Sequence, residues 1–136
     1  MHLGRDDVCV EQARAALGPQ AVIGASCYDD LSRAERALQA GADYLAFGSF
    51  FPSTVKPAAV RARLALLQEA RRRFALPLVA IGGITPHNAR QVIEAGADAV
   101  AVVTALFDAP DTRSAALGFA RLFEPDVSPI SSMLAS

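Results

Sequence analysis

The sequence predicts an α/β fold with parallel strands. Three observations lead there: four short runs that are apolar at nearly every position, amphipathic helical segments between them, and one helix-to-strand joint that occurs twice. The runs are residues 21–25, 44–47, 78–81 and 99–103. A strand covered by helices on both faces loses its in–out alternation and reads in this way.

The helical segments follow in order. Residues 9–17 place Val10, Ala13 and Leu17 on one face, and residues 30–39 do the same with Leu31, Ala34 and Leu38. Residues 58–73 space Val60, Leu64, Leu67 and Ala70 likewise. Residues 86–95 carry a start signal, Thr85 as cap and Pro86 at the first helical position. Residues 112–122 form the last helix, capped by Asp111 or Thr112. Four strands alternating with five helices imply right-handed parallel crossovers. The joint Gln39-Ala40-Gly41-Ala42-Asp43 returns as Glu94-Ala95-Gly96-Ala97-Asp98, with Gly41 and Gly96 suited to the left-handed turn that ends a helix. Such repetition suits a barrel or a doubly wound sheet. Residues 1–123 therefore read as one structured unit, and 124–136, with two prolines and four serines, as a flexible tail.

Composition narrows the function. The 136 residues are 52% hydrophobic and 20% charged, which excludes a disordered chain. The net charge of −1 gives no footprint for nucleic acid or an acidic membrane surface. No apolar run reaches the roughly 18–20 residues that span a bilayer. The start of the chain has no basic segment leading into an apolar one, so no secretory signal is expected. Cys9 and Cys27, without CxxC spacing, suit a reducing, cytoplasmic setting.

In parallel α/β folds the chemistry sits at the carboxyl ends of strands. Here those ends carry Ser26, the segment from Gly48 to Lys56, Gly82-Gly83-Ile84-Thr85, and Val103-Thr104. Small and hydroxylic groups with a cation suit an anion. Gly82-Gly83, leading into a helix, offers backbone N–H groups and a positive dipole end for phosphate, although a glycine pair also serves as a plain tight turn. Lys56 is the only lysine beside 12 arginines, and a compact ammonium binds phosphate as a point charge; a residue retained by chance on a solvated loop is the lesser alternative. Asp6 and Asp7 follow a stub, residues 1–4, that looks like the end of another strand. Carboxylates there suit Mg²⁺, or cap the following helix. His2 and His87 show no metal pattern, and Cys27 reads as a small strand-end residue.

Taken together, His2-Leu3-Gly4-Arg5-Asp6-Asp7, Ile23-Gly24-Ala25-Ser26, Gly41-Ala42-Asp43-Tyr44, Phe51-Pro52-Ser53-Thr54-Val55-Lys56, Ala80-Ile81-Gly82-Gly83-Ile84 and Ala95-Gly96-Ala97-Asp98 resemble thiamine phosphate synthase, in order and spacing, from residue 2 to about 107. The resemblance implies a (β/α)₈ barrel of which this chain matches the second half, a partial TIM barrel. It implies joining of hydroxymethylpyrimidine pyrophosphate to thiazole phosphate, with pyrophosphate leaving first. On that pattern Asp7 is a Mg²⁺ ligand, and Ser26 and Lys56 are the catalytic contacts to the pyrimidine substrate and its pyrophosphate. Ser53, Thr54 and Val55 hold the thiazole phosphate, Gly83 offers it an N–H, and Val103 and Thr104 complete the cup. Three positions depart from the family pattern: Val55 lacks a hydroxyl, Arg5 stands where glutamine is common, and Tyr28 where histidine is common. Segments matching the family's Gln-x-Arg-x-Lys and Asn-Asp motifs are not found, so the chain by itself is expected to be inactive or weak. Small-molecule substrates, no nucleic acid or membrane partner, and pairing of two copies through an exposed half-barrel face are the further expectations. A thiazole tautomerase-like enzyme and a non-catalytic phosphate-binding module are the alternatives; the former relies on a histidine after the strand-end serine, where this chain has Cys27-Tyr28.

Overall fold

A computed structural model describes residues 1–53 and 61–125. The order of elements is β1 (His2–Leu3), α1 (Val10–Leu17), β2 (Gly24–Tyr28), α2 (Leu31–Gln39), β3 (Tyr44–Phe47), α3 (Leu64–Arg73), β4 (Leu78–Ile81), α4 (Ala89–Glu94), β5 (Ala99–Ala101), α5 (Thr104–Phe107) and α6 (Thr112–Arg121). All strand pairs are parallel, and the sheet order is β1-β2-β3-β4-β5. A doubly wound sheet reverses strand order at a switch point. This one never does, so right-handed crossovers put every helix on one face. That is barrel wall, which settles the choice left open by the repeat.

The burial pattern agrees. Leu3, Ala25, Cys27, Leu45, Phe47, Leu78 and Ala80 are buried beneath the helices with Leu67, Ala70 and Val92. On the opposite face Val79 and Ile81 are half-buried, and Ala99 and Ala101 are exposed.

Tyr44–Phe47 and Leu78–Ile81 form as the apolar runs predict. The first run is displaced: the strand covers 24–28 rather than 21–25, because its ladder begins where His2 pairs with Gly24. The stub is thus a fifth strand. At the other end β5 stops at Ala101, and a short helix, α5, makes the helix count six rather than five among the described residues. The helix expected from residue 86 begins at Ala89. Thr85–Asn88 is instead a turn in which Asn88 Oδ1 accepts from the Thr85 N–H at 2.8 Å and Asn88 Nδ2 donates to the Gly83 carbonyl at 3.0 Å. The helix expected over 58–73 begins only at Leu64: residues 61–63 are not helical, with Arg63 extended at the cap position, and 58–60 lie outside the described residues. Asp111 caps α6 by accepting from the Ser114 N–H. The proposed tail lies, beyond residue 125, outside the described residues.

The repeated joint is repeated in three dimensions. Gly41 and Gly96 have φ of 95° and 121°. The next residues donate back to the helix, Ala42 to the Ala37 carbonyl and Ala97 to the Val92 carbonyl. The aspartates then act identically. Asp43 Oδ2 accepts from the Ile23 N–H at 2.7 Å and from Arg14 at 2.7 Å. Asp98 Oδ2 accepts from the Leu78 N–H at 2.8 Å and from Arg71 at 2.7 Å. Each arginine also donates to carbonyls of the loop after its helix, Arg14 to Ala21 and Arg71 to Leu76. Arg71 is thus a clamp at the amino ends of the strands, whereas its neighbours Arg72 and Arg73 pair with Glu69.

Candidate functional site

The first group of site residues lies on the helix-free face of β1 to β3, where His2 and Tyr44 open their strands and Ser26 is the middle residue of β2. Ser26 is the one buried polar residue among those described, 8% exposed. Burying a hydroxyl is costly unless it is hydrogen-bonded. Its partner is His2, whose Nε2 lies 2.7 Å from Ser26 Oγ. His2 Nδ1 lies 3.0 Å from Tyr44 Oη, and the two rings stack at 5.7 Å. Parallel register explains the cluster: His2 pairs with Gly24 and Gly24 with Tyr44, so neighbouring strands present these side chains on the helix-free face. Burial lowers the His2 pKa, opposed by the Asp7 carboxylate and aided by the chain's own ammonium terminus. A neutral imidazole between two hydroxyls can exchange or orient protons, and is a polar platform for a heteroaromatic ring.

His2 and Tyr44 were missed in the sequence. Metal-ligand spacing says nothing of His2, which only the register of β1 against β2 brings to Ser26.

Asp7 lies in the exposed turn after β1, where Oδ2 accepts from the Gly4 N–H at 2.6 Å. It does not cap α1, whose cap position, Cys9, has no side-chain hydrogen bond. Mg²⁺ takes one or two protein carboxylates and leaves the rest to water and phosphate. A single exposed aspartate fits that habit as one ligand. Among the described residues no three His, Cys, Asp or Glu side chains converge into a fuller metal site. Arg5, Asp7, Ser26 and Arg33 line one groove of about 310 Å³. The two unusual residues of the turn region meet each other: the Arg5 guanidinium stacks over Tyr28 at 4.7 Å.

A second group forms at the ends of β3 to β5. Gly83 has φ of 65°, and a Cβ there would lie 2.4 Å from the Phe51 carbonyl oxygen and 2.5 Å from that of Pro52. Only glycine lets the loop carrying Ser53 cross this closely. The Phe51 N–H also donates to the Gly82 carbonyl at 3.1 Å. Ser53 is therefore held beside the glycine pair. Val103 and Thr104 leave the end of β5 next to it, since Ile81 and Ala101 are register partners; both residues are exposed. The helix-dipole argument at Gly82-Gly83 does not hold, because a turn separates the pair from the six residues of α4. Thr54, Val55 and Lys56 lie outside the described residues.

The cysteines stand apart from this geometry. Cys27 is fully buried on the helix face, and burial pushes its thiol up to about 12. Cys9 is exposed. Among the described residues no helix is long and apolar enough to cross a membrane.

Comparison with known proteins agrees with this architecture. A thiamine-phosphate synthase of Thiobacillus denitrificans is 59% identical over 128 residues, covering 93% of this chain and 61% of that protein. One of Nitrosococcus oceani is 58% identical, covering 90% and 57%. The solved thiamine phosphate pyrophosphorylase of Pyrococcus furiosus superposes with a TM-score of 0.79 at 38% identity, over 89% of this chain and 57% of that one. The chain thus spans about three fifths of the length of these relatives. The family model for thiamine monophosphate synthase matches residues 1–106, most of the sequence, and with it the chain belongs to that family.

Proposed function

We propose that this chain serves thiamine biosynthesis as a thiamine phosphate synthase-like transferase, joining hydroxymethylpyrimidine pyrophosphate to thiazole phosphate. The bond from the pyrimidine methylene to the pyrophosphate oxygen breaks, its electron pair leaving with pyrophosphate. The thiazole nitrogen lone pair then forms the new C–N bond. The observation that carries this reading is the His2–Ser26–Tyr44 cluster beside Asp7, in a chain of this family.

In this reading the cluster orients the pyrimidine ring by hydrogen bonds and stacking. Ser26 and Lys56 contact the pyrimidine substrate, and the lysine ammonium stabilises charge developing on the departing pyrophosphate. Ser53, Thr54 and Val55, with the Gly83 N–H and Val103 and Thr104, hold the thiazole phosphate. Asp7 would be one ligand of Mg²⁺, which when bound neutralises pyrophosphate charge. The proposal includes a cytoplasmic setting. It also includes association of copies through the half-covered sheet, supported by exposed Ala99 and Ala101 on its helix-free face. The tautomerase reading is not favoured, since the relatives compared are named as synthases and Ser26 is followed by Cys27 and Tyr28.

Calorimetric titration of the purified chain with each substrate tests the proposal. Both are expected to bind. Lys56→Ala should weaken pyrimidine pyrophosphate binding about tenfold or more, the cost of one charged hydrogen bond. Binding of thiazole phosphate alone would favour a phosphate-binding module, and binding of neither would refute the proposal.

A further inference from the structure

Tyr28 ends β2 with φ of 55°, a left-handed conformation uncommon for a residue with a bulky side chain. Such a backbone persists only where its surroundings over-determine it. Here they do. The Gly48 N–H donates to the Tyr28 carbonyl at 3.1 Å. The ring lies beneath two guanidinium groups, Arg5 at 4.7 Å and Arg33 at 5.3 Å from its centroid. Its hydroxyl accepts from the Arg5 main-chain N–H at 3.1 Å.

These contacts link two parts of the site that the chain otherwise keeps 20 or so residues apart. On one side is the turn from Gly4 to Asp7, closed by Asp7 Oδ2 on the Gly4 N–H. On the other is Arg33, whose Nε donates to the Ser26 carbonyl at 3.0 Å. One aromatic ring therefore touches both the turn that bears Asp7 and the arginine that holds Ser26. We propose that Tyr28 is a positioning residue, fixing the Gly4–Asp7 turn and the Asp7 carboxylate relative to Ser26. Residues 5–7 of the turn are exposed, and a shift of about 1 Å there would be costly to any ligand spanning both residues. The hydroxyl and the ring have separable parts. The hydroxyl sets the height of the turn through the Arg5 N–H, and the ring holds the Arg5 side chain by cation–π attraction.

The proposal rests on the reading of Asp7 as a cation ligand, and the experiment separates the two. Amide hydrogen exchange is followed by NMR in the intact chain, in Tyr28→Phe and in Tyr28→Leu. Tyr28→Phe keeps the ring and removes only the hydroxyl, so it guards against loss of folding. The Arg5 amide should exchange about tenfold faster in Tyr28→Phe, with the Leu45 and Leu78 amides unchanged. Mn²⁺ with pyrophosphate, as a paramagnetic probe, should broaden the Gly4–Asp7 amides, needing several-fold more Mn²⁺ in Tyr28→Phe and more again in Tyr28→Leu. Unchanged Arg5 exchange in Tyr28→Phe overturns the proposal. So does unchanged Mn²⁺ response in both variants if Asp7→Asn abolishes it. If Asp7→Asn responds like the unmodified chain, the cation role of Asp7 fails instead, and Arg5 exchange alone decides whether Tyr28 fixes the turn.

Discussion

Replacing Gly83 by alanine would test whether the second half of the site depends on the contact between two loops. The added Cβ would stand 2.4 Å from the Phe51 carbonyl oxygen, against about 3.4 Å for ordinary contact, so the loop must retreat by about 1 Å. Both obstructing groups, the carbonyls of Phe51 and Pro52, are backbone and not flexible side-chain ends. Forcing extra atoms into a packed site costs about 1–3 kcal/mol. Holding alanine at φ of 65° adds about 1–2 kcal/mol. The expected loss is thus about 2–5 kcal/mol in urea unfolding followed by circular dichroism, or a smaller loss if the loop lifts away. In the second case the Phe51 amide, which donates to the Gly82 carbonyl, should lose its exchange protection. Gly83→Asn separates the two costs. Asparagine tolerates the left-handed backbone but carries the same Cβ, so it should keep the clash cost of about 1–3 kcal/mol and recover most of the backbone cost. A Gly83→Ala chain that keeps its stability within about 0.5 kcal/mol and its Phe51 protection would refute the reasoning.

Two further outcomes follow from the ionisable groups. The His2 pKa lies below its ordinary 6.5, so on acidification the unfolded chain takes up the proton first. Stability should therefore be level above about pH 6.5 and fall as the pH drops below it, and His2→Gln should flatten that slope in urea unfolding between about pH 5 and 7.5. Cys27, pushed up to about 12, stays a buried thiol at neutral pH, whereas Cys9 is exposed. A thiol reagent should modify one cysteine quickly and the second only with denaturant; rapid reaction of both would contradict the burial of Cys27.

Tyr44–Phe47 and Leu78–Ile81 were the most legible elements, because both are continuous apolar runs, although helices cover only one face and Tyr44, Val79 and Ile81 on the other are half-buried. Boundaries set by a neighbour were not legible. Strand β2 runs on through Ser26, Cys27 and Tyr28 because β3 pairs with it there, Ser26 with Ala46 and Tyr28 with Phe47, and nothing in the local composition says so. The start of α4 was misread for a similar reason. Thr85-Pro86 is a strong local signal, but the Asn88 side chain bridges Thr85 and Gly83 and holds a turn there instead. In the site, Asp7 falls in the turn after β1 as its motif implies, whereas Ser26, read as a strand end, lies in the middle of β2. His2 and Tyr44 became legible only through register, since no spacing links residues 2, 26 and 44 until three strands lie side by side.

The paired clamps, Arg14 to Asp43 and Arg71 to Asp98, bear on how such a sheet assembles. They bridge 29 and 27 residues, and each closes with partners drawn from its own stretch of chain. Ties of short sequence separation form early and at low entropic cost, because little chain must be gathered before they are rewarded. The first clamp is complete once residue 43 exists, before any residue of the second is needed. Strand register is therefore decided pair by pair as the polypeptide lengthens, and does not wait for a ring to shut.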